Sequence, residues 1–256
     1  RFVDDHTVAV DTAEGEKLFK ADRIFINTGA TPFVPPVEGL TIGGAIHTSE
    51  TIMNLEEYPE SLVIIGSGFI GLEFAATYAQ FGTKVTVVDV IDTFLPREDE
   101  DVAQAVKEQL EALGVTFNLG VQLKAVHQEG GKAVVEATTG EGAPVAFTTD
   151  AVLVATGRRA NVQGLDLDKA GVELTERGAI KVNEFLQTNV PHIFAMGDVN
   201  GGPQFTFVSL DDFRIVKRFL AGDTTYSTKQ RAKFPTATFI NPPLASVGLN
   251  EKQAKE

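Results

Sequence analysis

At 256 residues the chain is long enough for two domains, and with 43% hydrophobic residues it can bury substantial cores. Its net charge of −13 argues against nucleic acid as a partner, because holding phosphate backbones needs clustered Lys and Arg. No apolar stretch approaches a membrane span, the first residues lack a signal-peptide layout, and cysteine is absent, so a cytoplasmic protein without disulfides or thiol chemistry of its own is expected.

Val8-Ala9-Val10 and Leu18-Phe19-Lys20 flank Gly15 and read as a hairpin. Arg23 to Ile26 has the continuous apolar character of a buried strand and ends in Asn27-Thr28-Gly29-Ala30. Pro32, Pro35 and Pro36 make residues 31–39 an extended crossing, suited to a domain linker. A short helix is expected at residues 49–55, capped by Ser49.

The stretch from Ser61 to Asp89 carries the densest signal. Leu62 to Ile65 is an apolar run of the kind a strand buried on both faces shows. Gly66-Ser67-Gly68-Phe69-Ile70-Gly71 follows, then an Ala-rich helical pattern stopped by Gly82, then Val85 to Val88 closing on Asp89. Strand, glycine turn, helix, strand and an acid about 20 positions beyond the turn form the dinucleotide fingerprint. Gly66 permits the tight turn, Gly68 lets the backbone approach a pyrophosphate, and Gly71 lets the helix lie close on the strand. The amino end of the helix then holds the diphosphate. Asp89 can accept from both hydroxyls of an adenosine ribose. A 2′-phosphate there would face a like charge, with no Arg or Lys before Arg97, so NADH is favoured over NADPH. A glycine-rich turn in an α/β protein that binds nothing is the plainer alternative, and the agreement of all four parts weighs against it.

After Asp89, Glu98 to Asp101 introduce a helix through Leu113 with Val102, Val106, Leu110 and Leu113 as its buried stripe. Val115 to Phe117 reads as a strand. Gln122 to His127 and Ala133 to Ala137 form a hairpin, continued by Val145 to Phe147. Ala151 to Val154 then ends in Ala155-Thr156-Gly157. Asp22 to Gly29 and Asp150 to Gly157 share acid, apolar run and Thr-Gly, which reads as an internal repeat of two nucleotide-binding units. Ile193 to Ala195 is a further strand, closing on Gly197-Asp198. Gly201-Gly202-Pro203 leads into a helix from about Gln204 to Leu220, with Leu210, Phe213, Val216 and Leu220 as its packing stripe. Thr225 to Lys233 reads as polar linker, and the residues from Asn241 onward offer little to pack against.

The ordered segments VIIGSGFIGLE, VVD, LPREDED, VLVATGRRAN, IFAMGDV and GGPQFTFVSLDD together resemble the flavin-dependent pyridine nucleotide-disulfide oxidoreductases, the family of dihydrolipoamide dehydrogenase and mercuric reductase. QFTFVSLDDFRIV with FINPPLASVGLNEKQAKE looks most like its reactive-chlorine-resistance branch, whose members reduce hypothiocyanous acid or copper(II) with NADH. The resemblance implies an α/β architecture: a Rossmann-like three-layer NAD domain, parallel sheet plus β-meander, inserted in a partial FAD domain of the same type. Residues 1–36 and 161–222 would be FAD-binding, 37–160 NAD-binding, and 223–256 a linker with the start of a dimerisation domain.

By the same resemblance, Gly66 to Gly71 match the NAD turn, Glu73 the acid at the nicotinamide end and Asp89 the ribose acid, with Val121 and Gly157 on the adenosine side. On the flavin side, Thr28 and Gly29 match a strand end, Asp198 the acid that bonds the ribityl chain, and Gln204, Phe205, Thr206 and Phe207 the segment beside the ring. Many relatives have Ala-His where this chain has Thr206-Phe207. The family's first glycine turn and cysteine pair would lie before Arg1, and its His-Glu pair after Glu256. A fragment that binds NAD(H), retains FAD weakly or not at all, and has no catalytic residue of its own is therefore expected, with a homodimer expected of the full-length protein. No metal site is expected; His6, His47, His127 and His192 are read as surface or packing residues. Two alternatives stay open: a cysteine-free flavoprotein of the ferredoxin-reductase type, and a dinucleotide-binding sensor without chemistry.

Overall fold

Leu62 and Ile64 pack to one side of their strand, Val63 and Ile65 to the other, and all four are buried. A strand with no solvent face needs cover on both sides, and this requirement builds the larger part of the molecule. The computed structural model describes residues 1–231 and 233–255.

In chain order, β1 (Thr7–Thr12) and β2 (Gly15–Lys20) form an antiparallel hairpin, followed by β3 (Ile24–Ile26) and β4 (Ala30–Pro32). Next come β5 (Ile46–Thr48), β6 (Ser61–Ile65), α1 (Phe69–Gln80), β7 (Lys84–Val88), α2 (Glu100–Ala112) and β8 (Thr116–Asn118). Strands β9 (Gln122–Glu129), β10 (Lys132–Thr138) and β11 (Pro144–Thr149) form an antiparallel meander. The chain continues through β12 (Ala151–Val154), β13 (Arg158–Ala160), β14 (Ile193–Ala195) and α3 (Thr206–Leu220). It closes with β15 (Thr236–Thr238), β16 (Leu244–Ser246) and α4 (Glu251–Lys255).

The chain divides into two units, one of Arg1–Thr31 with Arg158–Ala232, the other of Pro32–Gly157 with Lys233–Glu256. In the second, a parallel sheet runs in the order β5-β12-β6-β7-β8. Leu72, Ala75 and Ala76 of α1 and Val106 and Leu110 of α2 cover the face carrying Leu62 and Ile64. Val126 of β9 and Val135 and Ala137 of β10 cover the face carrying Val63 and Ile65. Helices, parallel sheet and meander are the three layers expected from the sequence. Each fully buried Leu, Ile or Val contributes about 1.5–3 kcal/mol, so the two-sided strand is the main source of cohesion here.

The closing segment has more to pack against than its sequence suggests. β15 and β16 pair antiparallel, Ile240 is buried with the α1 face, and the N–H of Glu251 donates to the Asp99 carboxylate at 3.0 Å. Asn250 Nδ2 also donates to the Arg97 carbonyl at 2.8 Å.

In the first unit, β3 pairs in parallel with β14, and β4 pairs with β13. Phe2, Ile26, Ile180, Ile193 and Val199 form one core, and Leu186, Phe194, Ile215 and Val216 a second.

Three local expectations are corrected. Residues 52–54 form only a 3₁₀ turn whose N-cap is Thr51, not Ser49, and no side chain caps it; Thr51 Oγ1 instead accepts from the Thr48 N–H at 3.0 Å. On α2 the buried set is Ala103, Val106 and Leu110, while Val102 and Leu113 are partly exposed, at 36% and 38%. On α3 the buried residues are Val208, Asp212, Ile215 and Val216, while Leu210 and Phe213 are exposed. Helix α3 is turned so that a carboxylate faces inward, for a reason given below.

Candidate functional site

The turn after β6 is built by two glycines that cannot be replaced and one that can. Gly66 has φ +111°, and its N–H donates to the Val88 carbonyl of β7 at 2.9 Å. A Cβ on Gly66 would lie 2.5 Å from the Ala155 carbonyl oxygen, and one on Gly71 would lie 2.1 Å from that of Gly66. Both contacts are with backbone, so neither can give way cheaply. Gly68 differs. It caps α1 with φ −74°, and a Cβ there would meet nothing within 4 Å. The turn is closed against the protein and open on its outer side.

The amino end of α1 faces that opening. No side chain caps it, the first turn carries no acid, and the N–H groups of Phe69, Ile70 and Gly71 have no acceptor among the described residues. Such donors, reinforced by the helix dipole, are a ready anion cradle. Phe69 is exposed, Ile70 half-buried and Gly71 buried. Glu73, one turn on, is half-buried, and its Oε1 accepts from the Phe239 N–H at 2.9 Å.

Asp89 follows β7 directly and stands beside the turn. Its Oδ2 accepts from Ser67 twice, from N–H at 2.6 Å and hydroxyl at 2.7 Å, while Oδ1 accepts from the Ile91 N–H at 3.0 Å. Three donors hold the carboxylate; Oδ2 accepts two of them, and the capacity for a further hydrogen bond is left on Oδ1. The Asp89 carbonyl accepts from the Val121 N–H at 2.9 Å, but the Val121 side chain is buried among the meander residues. Gly157 has φ +115°, and its carbonyl accepts from the Phe33 N–H at 2.9 Å.

In the first unit, the ends of β3 and β14 meet the first turn of α3. A Cβ on Gly197 would lie 2.9 Å from Asn27 Oδ1 and 2.8 Å from Ser209 Oγ. The Thr28 hydroxyl donates to the Asn161 carbonyl at 2.7 Å, and Asn161 Nδ2 returns a bond to the Thr28 carbonyl at 3.2 Å. Gly29 takes φ +72°. Asp198 lies in the 3₁₀ turn after β14, half-buried, and its carboxylate has no hydrogen-bond donor among the described residues. Gln204 and Thr206 are exposed; Phe205 caps α3, and its ring stacks on Phe207 at 5.1 Å between centroids.

Asp212, unremarked in the sequence, organises this turn. Only 2% exposed, it accepts from the Gly197 N–H at 2.8 Å, from Asn200 Nδ2 at 3.1 Å and from the Arg231 guanidinium. Arg231 Nε donates in addition to Asp211 at 2.8 Å, and the Tyr226 hydroxyl donates to Asp211 at 3.0 Å. A buried carboxylate persists only where charge and hydrogen bonds compensate it, and this one is compensated fully. This explains the rotation of α3. It also shows residues 226–231 to be anchored rather than plain linker. The only earlier signal was the doubled acid of SLDD.

An open glycine turn at a free helix end, with a carboxylate fixed beside it at the end of the next parallel strand, is the arrangement of a Rossmann-like fold. Residues 1–212 match the family described as pyridine nucleotide-disulphide oxidoreductase. The chain belongs to that family. It is 41% identical over 255 residues to the probable pyridine nucleotide-disulfide oxidoreductase RclA of Escherichia coli K12, covering 100% of this chain and 57% of that protein. Against the dihydrolipoyl dehydrogenase of Mycobacterium bovis the identity is 36%, covering 99% of this chain and 54% of the relative. The structure of the copper(II) complex of RclA, an HOCl-induced flavoprotein disulfide reductase from Escherichia coli, superposes with a TM-score of 0.94 at 39% identity, covering 99% of this chain and 56% of that one. The chain thus spans about half the length of the curated relatives it matches. Among the described residues, no helix is long and apolar enough to cross a membrane.

Proposed function

We propose that the chain is the NAD(H)-binding portion, with flanking flavin-binding segments, of an NADH-dependent flavoprotein disulfide reductase. The observation that carries this reading is the turn from Gly66 to Gly71, sealed inward by backbone, open at Gly68 and flanked by the thrice-held Asp89. The N–H groups at the start of α1 hold the diphosphate, and Asp89 takes the hydroxyls of the adenosine ribose. Glu73 stands toward the nicotinamide end, and Gly157 and the backbone of Val121 border the adenosine.

Thr28, Gly29, Asp198 and the segment Gln204 to Phe207 bind FAD in the whole protein. The uncommitted carboxylate of Asp198 suits a sugar-alcohol hydroxyl, and the stacked Phe205 and Phe207 offer an apolar border to a ring. Bound flavin supplies the capacity to take hydride from reduced nicotinamide and pass an electron pair to a disulfide. These 256 residues contain no cysteine, so the thiol step lies with groups they do not include. They are expected to bind NADH without turning over. Likeness to RclA supports an oxidant of the reactive-chlorine class or copper(II) for the whole protein; the whole protein is read as a cytoplasmic homodimer.

Calorimetric titration with NADH tests the reading. One NADH site per chain is expected, weakened roughly 10-fold or more by Asp89→Asn. Absence of heat at millimolar NADH, or equal affinity of the variant, overturns it.

A further inference from the structure

We propose that Asp5, His6 and His192 form a binding site for a divalent late first-row transition ion of the zinc(II) or copper(II) class. The three lie in the first unit, where the turn before β1 meets the turn before β14. One ligand-capable atom from each lies within 4.8 Å of the other two. This is the one such grouping of His, Asp and Glu among the described residues.

One nitrogen of each imidazole is held by a backbone carbonyl. His6 Nδ1 is 2.8 Å from the Ala21 carbonyl oxygen, and His192 Nε2 is 2.7 Å from that of Asp5. A carbonyl only accepts, so each ring donates one N–H and keeps a lone pair on its other nitrogen. A second-sphere carbonyl of this kind is the usual means of fixing the tautomer of a metal-binding histidine. The rings stack face to face, 3.9 Å between centroids and 1° from parallel. The Asp5 carboxylate stands 3.9 Å from His192 Nε2, the nitrogen held by the Asp5 carbonyl, and is 53% exposed; ligation by this ring falls to Nδ1, toward which the carboxylate must swing. Two neutral nitrogens and one carboxylate oxygen are a donor set of the borderline kind that these ions prefer, with open positions left for water.

The magnitudes permit closure. Tetrahedral ligands about 2.1 Å from an ion stand about 3.4 Å from one another. Drawing atoms that lie within 4.8 Å in to that value takes side-chain rotation and a tilt of one ring out of the stack. Entry is open, because His192 also lines a surface groove with Arg23 and Gln187. Stacking and two carbonyl bonds account for the ring pair alone. They do not account for the carboxylate poised beside it.

The test uses the complete, tag-free chain, stripped with chelator and titrated with zinc sulfate by calorimetry in a non-coordinating buffer. One zinc per chain is expected. His6→Ala and His192→Ala should each weaken binding roughly 10-fold or more, Asp5→Asn less, and His127→Ala, on the meander of the second unit and outside this grouping, not at all. Circular dichroism checks that the variants fold. Copper(II) electron paramagnetic resonance of the unsubstituted chain supplies an independent readout, expected to show hyperfine coupling to two nitrogens. No zinc heat, undiminished binding in the His6→Ala/His192→Ala double variant, an equal loss in His127→Ala, or a copper signal without nitrogen coupling overturns the proposal.

Discussion

Ser67 donates twice to a single oxygen of Asp89, through its backbone N–H and through its hydroxyl. Hydrogen bonds to an ionised acceptor are short and about twice as strong as neutral ones. This pair, with the Ile91 N–H on the other oxygen, stops the carboxylate from rotating. Ser67 therefore helps set where Asp89 presents its remaining lone pair on Oδ1, although it occupies a non-glycine position of the turn. Ser67→Ala removes the hydroxyl bond and keeps the N–H. The expected loss is about 1 kcal/mol, or roughly 5-fold in the Kd for NADH. Titration of variant and parent chains, with NADPH run alongside, measures it; identical NADH affinities would show that the serine orients nothing.

The glycines separate stability from binding. A Cβ at Gly71 would stand 2.1 Å from backbone, whereas one at Gly68 would meet open space. Gly71→Ala must push α1 off β6, and overpacking of this kind costs about 1–3 kcal/mol or more. A midpoint of thermal unfolding lower by roughly 5 °C or more is expected for the second unit. Gly68→Ala loses a favourable cap, about 1 kcal/mol at most, but places a methyl group where the diphosphate would pass. It should melt close to the parent yet fail to bind NADH. Binding retained in Gly68→Ala would move the ligand elsewhere.

Asp150 makes the second unit sensitive to acid. Lys132 Nζ stands 2.8 Å from its Oδ1, and the Ser61 N–H donates to Oδ2 at 2.9 Å. The hydrogen bond from Lys132, then that from Ser61, holds its carboxyl below the ordinary value. A carboxyl depressed in the folded state adds stability that is fully present above its unfolded value of about 3.9 and is lost as pH falls through the lower folded one. Urea midpoints taken from about pH 6 down to about pH 3 should therefore fall more steeply for the parent than for Asp150→Asn. Parallel curves would show that the pair adds no stability, as many exposed ion pairs do not.

Much of the second unit was legible in the linear sequence, because its main signals are local. A strand buried on both faces is apolar at every position, a glycine turn is a run of six residues, and a meander announces itself by alternation. The same locality exposed Gly66 to Gly71 and Asp89 as a group. Less legible was the use of repeated features: Asp22 and Asp150 read as equivalent, but Asp150 ties the start of β6 to β10 through Ser61 and Lys132.

The sequence by itself determined the βαβ unit, since periodicity and glycine spacing are properties of neighbouring residues, and the order of its motifs gave the family resemblance that implied the three layers. Only the tertiary structure decided which face of α3 turns inward. Apolar periodicity chose Leu210 and Phe213, but a buried Asp212 satisfied by Gly197, Asn200 and Arg231 outweighs it, and those partners come from segments that meet only once the chain is folded. The same holds for His6 beside His192 and for the Phe239 N–H on Glu73. Contacts between residues far apart in the chain leave no period to read.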